Sequence, residues 1–577
     1  MSAWRWVERR QERLAWAGLV VAMALAAALL LWEGRGVTFF VDEWFFGFGA
    51  ATSLDPKSLF TPDNGHLAVV PILFTKASLE LFGATTTLPL RLLGIAAHLS
   101  TALMLFLFVR RRLGAAGALV PAVLILFFGV AADLLIGSHG LPMLLAVATG
   151  LGALLALERG SRRWDAAAAA LLVVGIGSNG LALPFVVAAV ATILLAPAAD
   201  RRRLWVPALP LALYFAWWLA YGGQGESDFA IANLAGLPAF AFDSLGAELA
   251  ALTGLFTAPG IQGQSFDAAA GKALAGGLLV ALAGLALVAR PRAARAALPA
   301  LLALLALWVL TGAVAGPARQ PESARYLYLG GILLLLIAAE GAFASPYRSR
   351  AALLLAAVCA VGILPNVREL DYQAPFFREQ SNQNRAVLGA AALLPAGVDP
   401  TTAIEYSTFA ASGEVPDMGF QLVTYRDSSG RFGSPGFSLG ELEATDAASR
   451  EAADRFLGRA LGIAVEPARG APQGLPAGLE AGQEGGSLRL RRRCLAFAPK
   501  SPTALLRVPL PPGGLWIRPG DGAPVPLTAR RFGDGFAVDA GAAAGGEASV
   551  LRLGPGAASR GWEVQLAPRQ PVLVCAA

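Results

Sequence analysis

Charge is scarce in this chain. Only 15% of its 577 residues are charged and 56% are hydrophobic, whereas a soluble domain carries roughly 25% charged residues. That shortage, with a mean hydropathy of +0.57, excludes a wholly soluble globular protein and points to a membrane protein with polar mass attached. Cysteine and histidine are scarcer still, at three of each, and none has the spacing of a Cys/His metal site. No glycine-rich phosphate loop follows a strand-like run, which argues against a nucleotide sugar bound in the cytoplasm. No internal repeat is present. The net charge of +6 would suit a nucleic-acid partner, but the arginines fall in short clusters between apolar runs, as in cytoplasmic loops of membrane proteins.

What is abundant is apolar length. A bilayer core needs about 20 apolar residues per helix, and runs of this kind cover 14–32, 91–109, 115–132, 140–157, 165–177, 180–197, 204–221, 272–289, 296–316, 326–344 and 351–365. They predict about eleven spans. The first run ends in Trp32-Glu33 without a cleavage-like site, so it reads as a retained anchor. Arg5, Arg9, Arg10 and Arg13 precede it and place the N-terminus in the cytoplasm. Clusters at 110–112, 159–163, 201–203, 290–295 and 348–350 then recur at every second boundary, all on the cytoplasmic side. This holds only if 66–82, with Pro71, Lys76 and Glu80, is an interfacial or re-entrant helix and not a crossing. Residues 34–90, 133–139, 222–271, 317–325 and everything after 365 then face outward.

The fold expected is a polytopic α-helical membrane protein of about 11 transmembrane helices over 1–365, followed by an extracytoplasmic, β-rich α+β domain over 366–577. A helix is predicted over 445–461, with acidic residues early and Arg455 and Arg459 late. Short β-like runs follow from about residue 488, near 504–508, 515–518, 536–538, 550–553, 562–566 and 572–575. They suit a small sandwich. The low-complexity stretch 466–486 reads as a flexible loop. Cys494 and Cys575 bracket the β-rich part and would pair as a disulfide if it lies outside the cytoplasm, while Cys359 sits in an apolar run as an inert hydrophobe. Trp516 and Trp562 would stack on sugar rings or, in the blander reading, fill the core.

Two adjacent carboxylates, Asp42 and Glu43, stand just past the first span among Phe39, Phe40, Trp44 and Phe45. Charge in an apolar setting at a membrane boundary is expensive and marks function; the alternative is a solvated loop pair. An acidic pair after the first span, Asn64-Gly65-His66 leading to Pro71 and on to Leu81-Phe82-Gly83, then Arg91-Leu92, Arg110-Arg111-Arg112-Leu113-Gly114, and late Arg325-Tyr326 follow one another in an order that resembles the GT-C superfamily of membrane glycosyltransferases. The likeness is to the protein O-mannosyltransferase and aminoarabinose transferase branch and covers roughly the first 365 residues. The usual Pro-Pro-Leu opening is replaced here by Leu-Ala-Val-Val-Pro.

The resemblance implies inverting transfer of a sugar from a polyprenyl-phosphate donor to a glycan, lipid or protein acceptor at the outer face of a bacterial inner membrane. Inversion needs a base for the acceptor proton, a task suited to Asp42 with Glu43 beside it. The leaving phosphate needs a fixed guanidinium: Arg325 first, Arg319 second, with Tyr326 as a hydrogen-bond donor and Arg91 pairing with Asp42 or the phosphate. Interfacial anchoring is the competing reading of Arg325 and Tyr326. His66, Asp133, Ser138 and His139 would line the acceptor cavity, and His98 would face a polar cavity or pack in the bundle. No metal is assigned, since a divalent cation on Glu43 and His66 would have two scattered ligands only. A lipid-linked-sugar transporter, or an inactive relative serving as a scaffold in envelope polysaccharide assembly, are the alternatives.

Overall fold

The computed structural model describes all residues except 1, 41–42, 44–54, 63–64, 197–199, 225–228, 257–267, 287–290, 317–318, 346, 405–419 and 555–560. The chain divides into two compact units, Met1–Leu81 with Thr87–Arg378, and Phe82–Thr86 with Glu379–Ala577.

The first unit is helical. Its order is α1 (Ser2–Glu33), α2 (Val69–Phe82), α3 (Leu88–Leu126), α4 (Ala132–Ile136), α5 (Leu141–Leu157), α6 (Arg162–Ile176), α7 (Leu183–Leu195), α8 (Trp205–Tyr221), α9 (Ile231–Thr253), α10 (Ala269–Ala286), α11 (Pro291–Gly312), α12 (Ala324–Ala344) and the start of α13 (Arg348–Ala392). Six helices among the described residues are long and apolar enough to cross a membrane, within Arg10–Glu33, Leu88–Ile136, Arg201–Gln224, Arg295–Gly312, Ala324–Ala344 and Arg348–Ala392. Three shorter apolar helices accompany them. The runs 91–109 and 115–132 are two helices parted at Gly114, whose φ of 80° and ψ of 170° are not helical and suit a glycine. Other runs form helices of 13 to 17 residues. At 14 residues α2 extends only about 21 Å at 1.5 Å per residue, short of a core of about 30 Å.

One end of this bundle is tied by charge. Arg110 bonds Glu12, Arg111 bonds Glu158, and Arg112 bridges Glu158 at 3.0 Å and Glu340 at 2.7 Å. Arg348 donates to the Arg112 carbonyl, and Arg203 holds Asp165 at 2.6 Å and the Leu157 carbonyl at 2.8 Å. The basic clusters at 110–112 and Arg348 therefore share one end of the bundle, as their alternation along the chain predicts. Between the ends the core is a continuous set of buried aliphatic and aromatic side chains, including Phe106, Phe128, Phe185 and Leu329.

The two units part within α13, between Arg378 and Glu379, whereas composition places the change at residue 366. The apolar run does stop there, but the helix continues as a polar one with Pro365 and Pro375 inside it. In the second unit, α14 (Leu422–Phe432), α15 (Leu439–Ala444) and α16 (Ala447–Ala460) precede the strands of the two larger sheets. Asp446 caps α16 by accepting the Ser449 N–H at 2.9 Å. On α16, Asp454 accepts the N–H groups of Arg531, Phe532 and Gly533 at 2.8–2.9 Å.

Two antiparallel sheets follow the short pair β1 (Ala403–Ile404) and β2 (Phe420–Gln421). The strands are β3 (Ala464–Pro467), β4 (Gly482–Glu484), β5 (Gly486–Arg491), β6 (Cys494–Pro499), β7 (Leu505–Pro509), β8 (Leu515–Pro519), β9 (Val525–Arg530), β10 (Val538–Ala543), β11 (Ser549–Arg552), β12 (Glu563–Leu566) and β13 (Val572–Ala576). One sheet has the order β10-β9-β12-β7-β4, the other β3-β11-β8-β13-β6-β5. Contacts of β10 with β3, β8 and β11 join the two, and alternate residues such as Leu506, Val508, Leu527, Val564, Ile517, Leu551 and Val574 are buried between them. The loop expected over 466–486 is present at 468–481, where Gln473 makes an isolated bridge, but its two ends are strands and the stretch is tied down. β3 pairs with β11, β4 pairs with β7, and Gln473 exchanges two backbone hydrogen bonds with Ala576, so low complexity did not prevent ladder formation. Cys494 and Cys575 form a disulfide across β6 and β13, packed on Trp516 and Val550. Trp516 and Trp562 are both buried and belong to the core, not to a sugar-stacking face.

Candidate functional site

The other end of the helical bundle gathers the polar residues. α1 ends at Glu33, and its last carbonyls need donors from outside the helix. Arg91, near the start of α3, supplies them: its Nη2 donates to the Leu30 carbonyl at 3.1 Å and to Leu31 at 3.4 Å. The fit is tight, since a Cβ on Gly34 would lie 2.2 Å from that nitrogen. Arg378 on α13 binds the same helix end, reaching the Glu33 carbonyl at 2.8 Å and its carboxylate at 3.1 Å.

Past α1 the chain turns inward. Glu43 is 4% exposed; its Oε2 accepts the Phe40 N–H at 2.9 Å, and its own N–H donates to the Phe40 carbonyl at 3.1 Å. Arg91 is its electrostatic neighbour. Asp42, Trp44 and Phe45 lie outside the described residues. Phe40 carries the path onward, with its ring 5.2 Å from that of His139 and 5.7 Å from Phe377. His139 Nε2 bonds Asp133 Oδ1 at 2.9 Å. Asp133 in turn feels the charge of Arg325.

Arg325 and Arg319 both act on His66. Burial first, then the positive charge of these two arginines, pushes the His66 imidazole from 6.5 down to about 4, so the ring is neutral near pH 7. His66 sits against Gly180, where a Cβ would come within 2.9 Å of its Nδ1. The Arg325 guanidinium lies 5.2 Å from the centre of the Tyr326 ring, and Tyr326 itself is buried. Ser138 is buried next to His139, and its hydroxyl finds no hydrogen-bond partner among the described residues.

Nine of the ten residues singled out in the sequence are thus described, and eight of them form one chain of contacts and charge couplings: Arg91, Glu43, His139, Asp133, Arg325, Tyr326, His66 and Arg319. Phe40 is the link between Glu43 and His139. Ser138 adjoins that chain through its neighbour in sequence. Among the described residues no group of three or more His, Cys, Asp or Glu side chains is placed to hold a metal ion.

His98 packs inside the bundle. Its Nε2 lies 3.2 Å from the Leu126 carbonyl, which can only accept, so Nδ1 accepts from the Tyr328 hydroxyl at 2.8 Å. Three polar residues escaped the sequence reading. Glu248 on α9 is 1% exposed and accepts the Trp308 indole N–H at 2.9 Å. Asn366 is fully buried and bonds Val130, Ala251 and Gly362. Arg378 holds α1 as described above. Each has a faint signal, a lone polar residue within or beside an apolar stretch, but only tertiary contacts give it a role.

No protein family and no curated protein matches this chain. One solved structure that it resembles is the crystal structure of ArnT from Cupriavidus metallidurans bound to undecaprenyl phosphate. The likeness has 15% sequence identity and a TM-score of 0.40, over 70% of this chain and 84% of that one. It is too remote to assign chemistry. What the fold itself defines is a mostly helical protein with several helices of membrane-spanning length and a C-terminal β-sheet domain.

Proposed function

We propose that this chain is an integral-membrane inverting glycosyltransferase. It moves a sugar from a polyprenyl-phosphate donor to an envelope acceptor on the extracytoplasmic face of a bacterial inner membrane. The observation that supports this reading is the contiguous set formed by Glu43, His139, Asp133, Arg325, His66 and Arg319, at the bundle end where α1 finishes. An acidic residue from the first loop and guanidiniums from the start of α12 and the segment just before it belong to one polar neighbourhood in an otherwise apolar unit.

In this reaction the acceptor O–H attacks the anomeric carbon as the bond from that carbon to the phosphate oxygen breaks. The proton passes to the Asp42 carboxylate, beside Glu43. The electron pair leaves with the polyprenyl phosphate, whose growing charge is met by Arg325 and Arg319. The neutral His66 accepts or donates a hydrogen bond without adding repulsion to those arginines. Arg91, already engaged by the Leu30 and Leu31 carbonyls, positions the loop that carries Glu43. The disulfide of the second unit suits an oxidising, extracytoplasmic compartment.

Mass spectrometry of lipid copurified with the protein, with and without Asp42→Asn, tests the reading. The expected result is a polyprenyl-phosphate sugar bound to both forms, with transfer to the acceptor lost only in the variant. Absence of any polyprenyl lipid, or undiminished transfer by Asp42→Asn, overturns it; a scaffold would show no transfer with either form.

A further inference from the structure

The tip of the β5–β6 hairpin in the second unit is built against local preference. Arg491 pairs with Cys494, so the turn has two residues, Arg492 and Arg493, and both sit in the left-handed region at φ 50° and 62°. Asn-Gly is the usual occupant of such a turn, because a Cβ crowds the backbone there. These two arginines are the only non-glycine residues with positive φ among the described residues. Strain of this sort persists where the side chains serve a purpose.

The turn completes a run of Arg489, Leu490, Arg491, Arg492 and Arg493 in which every side chain is exposed. Leu490 is 73% exposed. Arg489, Arg491 and Arg492 take part in no ion pair among the described residues, and Arg493 donates only to the Leu475 carbonyl, at 3.0 Å. β5 is also the last strand of its sheet, so its outward amides lack a ladder partner. Side chains alternate between faces along a strand, so Leu490 stands on the face opposite Arg489 and Arg491; the projecting end of the hairpin thus carries exposed guanidiniums and one exposed apolar side chain, matching a surface that is anionic at its face and apolar just beneath.

We propose that this hairpin tip docks end-on against an anionic phospholipid surface, with the arginines on headgroup phosphates and the exposed Leu490 at the depth of the upper acyl chains. Basic residues beside a shallow apolar anchor are the combination that holds a segment at the membrane interface. The chain already resides in a bilayer by its helices, which keeps lipid at high local concentration.

The full-length protein is reconstituted in nanodiscs of phosphatidylcholine alone or of equal parts phosphatidylcholine and phosphatidylglycerol, and hydrogen exchange is followed over residues 486–499. Anionic lipid is expected to slow exchange at the tip by about tenfold or more, an effect that high salt removes. The double variant Arg492→Asn/Arg493→Gly keeps the turn, relieves its strain and removes two charges, so it folds at least as well and loses most of the protection. Arg489→Gln/Arg491→Gln does the same without touching the turn. Equal exchange in the two nanodiscs overturns the proposal. So does equal protection by soluble polyphosphate in phosphatidylcholine discs, which would mark a general polyanion site, and so does protection that survives in both variants.

Discussion

Breaking the Cys494–Cys575 bond gives the most quantitative test of the second unit. The two cysteines are 81 residues apart, so the bond closes the stretch from β6 to β13, eight of the eleven strands in the two sheets, into one loop. Loop-closure entropy for that length corresponds to about 4.5 kcal/mol near room temperature. At about 1.4 kcal/mol per tenfold, opening of β6 and β13 should become about three orders of magnitude more frequent. Native-state hydrogen exchange of the full-length protein reads this directly at 495–497 and 572–574, comparing the wild type, the wild type reduced with dithiothreitol, and Cys494→Ala/Cys575→Ala. Reduction leaves the packing against Trp516 and Val550 in place, so agreement between reduced protein and variant isolates the cross-link. An acceleration of less than about tenfold would refute the loop-closure reasoning. Thiols at 494 and 575 that label with maleimide before reduction, in protein taken from its native membrane, would refute the oxidising placement.

Gly34→Ala forces a methyl against Arg91 Nη2 and the Ile136 carbonyl, at 2.2 and 2.6 Å, and should lower stability by about 1–3 kcal/mol, seen as a reduced melting temperature in detergent. His66, held at about 4 against an ordinary 6.5, favours the folded state most fully above pH 6.5. As pH falls from there toward about 4 the unfolded chain takes up the proton first, so that stability is lost; His66→Gln should flatten the melting temperature across that window, and an unchanged slope would show that the ring is not held neutral. Glu248→Gln retains an acceptor for the Trp308 N–H and should change stability little, whereas Glu248→Ala leaves that buried donor unpaired at about 1–3 kcal/mol. Equal melting temperatures for these two variants would show that the indole bond is unimportant.

The apolar class, the β-rich C-terminal part and the ends of α16 were legible because they rest on local chemistry: run length, turn residues, and acidic residues early with Arg455 and Arg459 late in the helix. The pairing of Cys494 with Cys575 was left conditional on compartment, and only the antiparallel neighbourhood of β6 and β13 brings the two sulfurs together. The stretch 466–486 is a loop over 468–481 as its composition suggests, but the strand partners at its ends, β7 and β11, and the Gln473 partner Ala576 are far along the chain and were not legible.

The candidate site divides along the same line. Placement alone marked Glu43, since an ionisable group at a membrane boundary is expensive; Arg325, Arg319 and Arg91, with Asp133 and His139 on the same expected face, were singled out by what the resemblance to the GT-C superfamily implies. Which of them meet is a matter of helix packing. The Asp133–His139 bond, the Phe40 ring between Glu43 and His139, and the two arginines around His66 depend on α1, α3, α5 and α12 converging at one end. The engagement of Arg91 with the end of α1, and the burial of Glu248 beside Trp308, were likewise decided there. A side chain's cost is written in its chemistry; its partner is set by the fold.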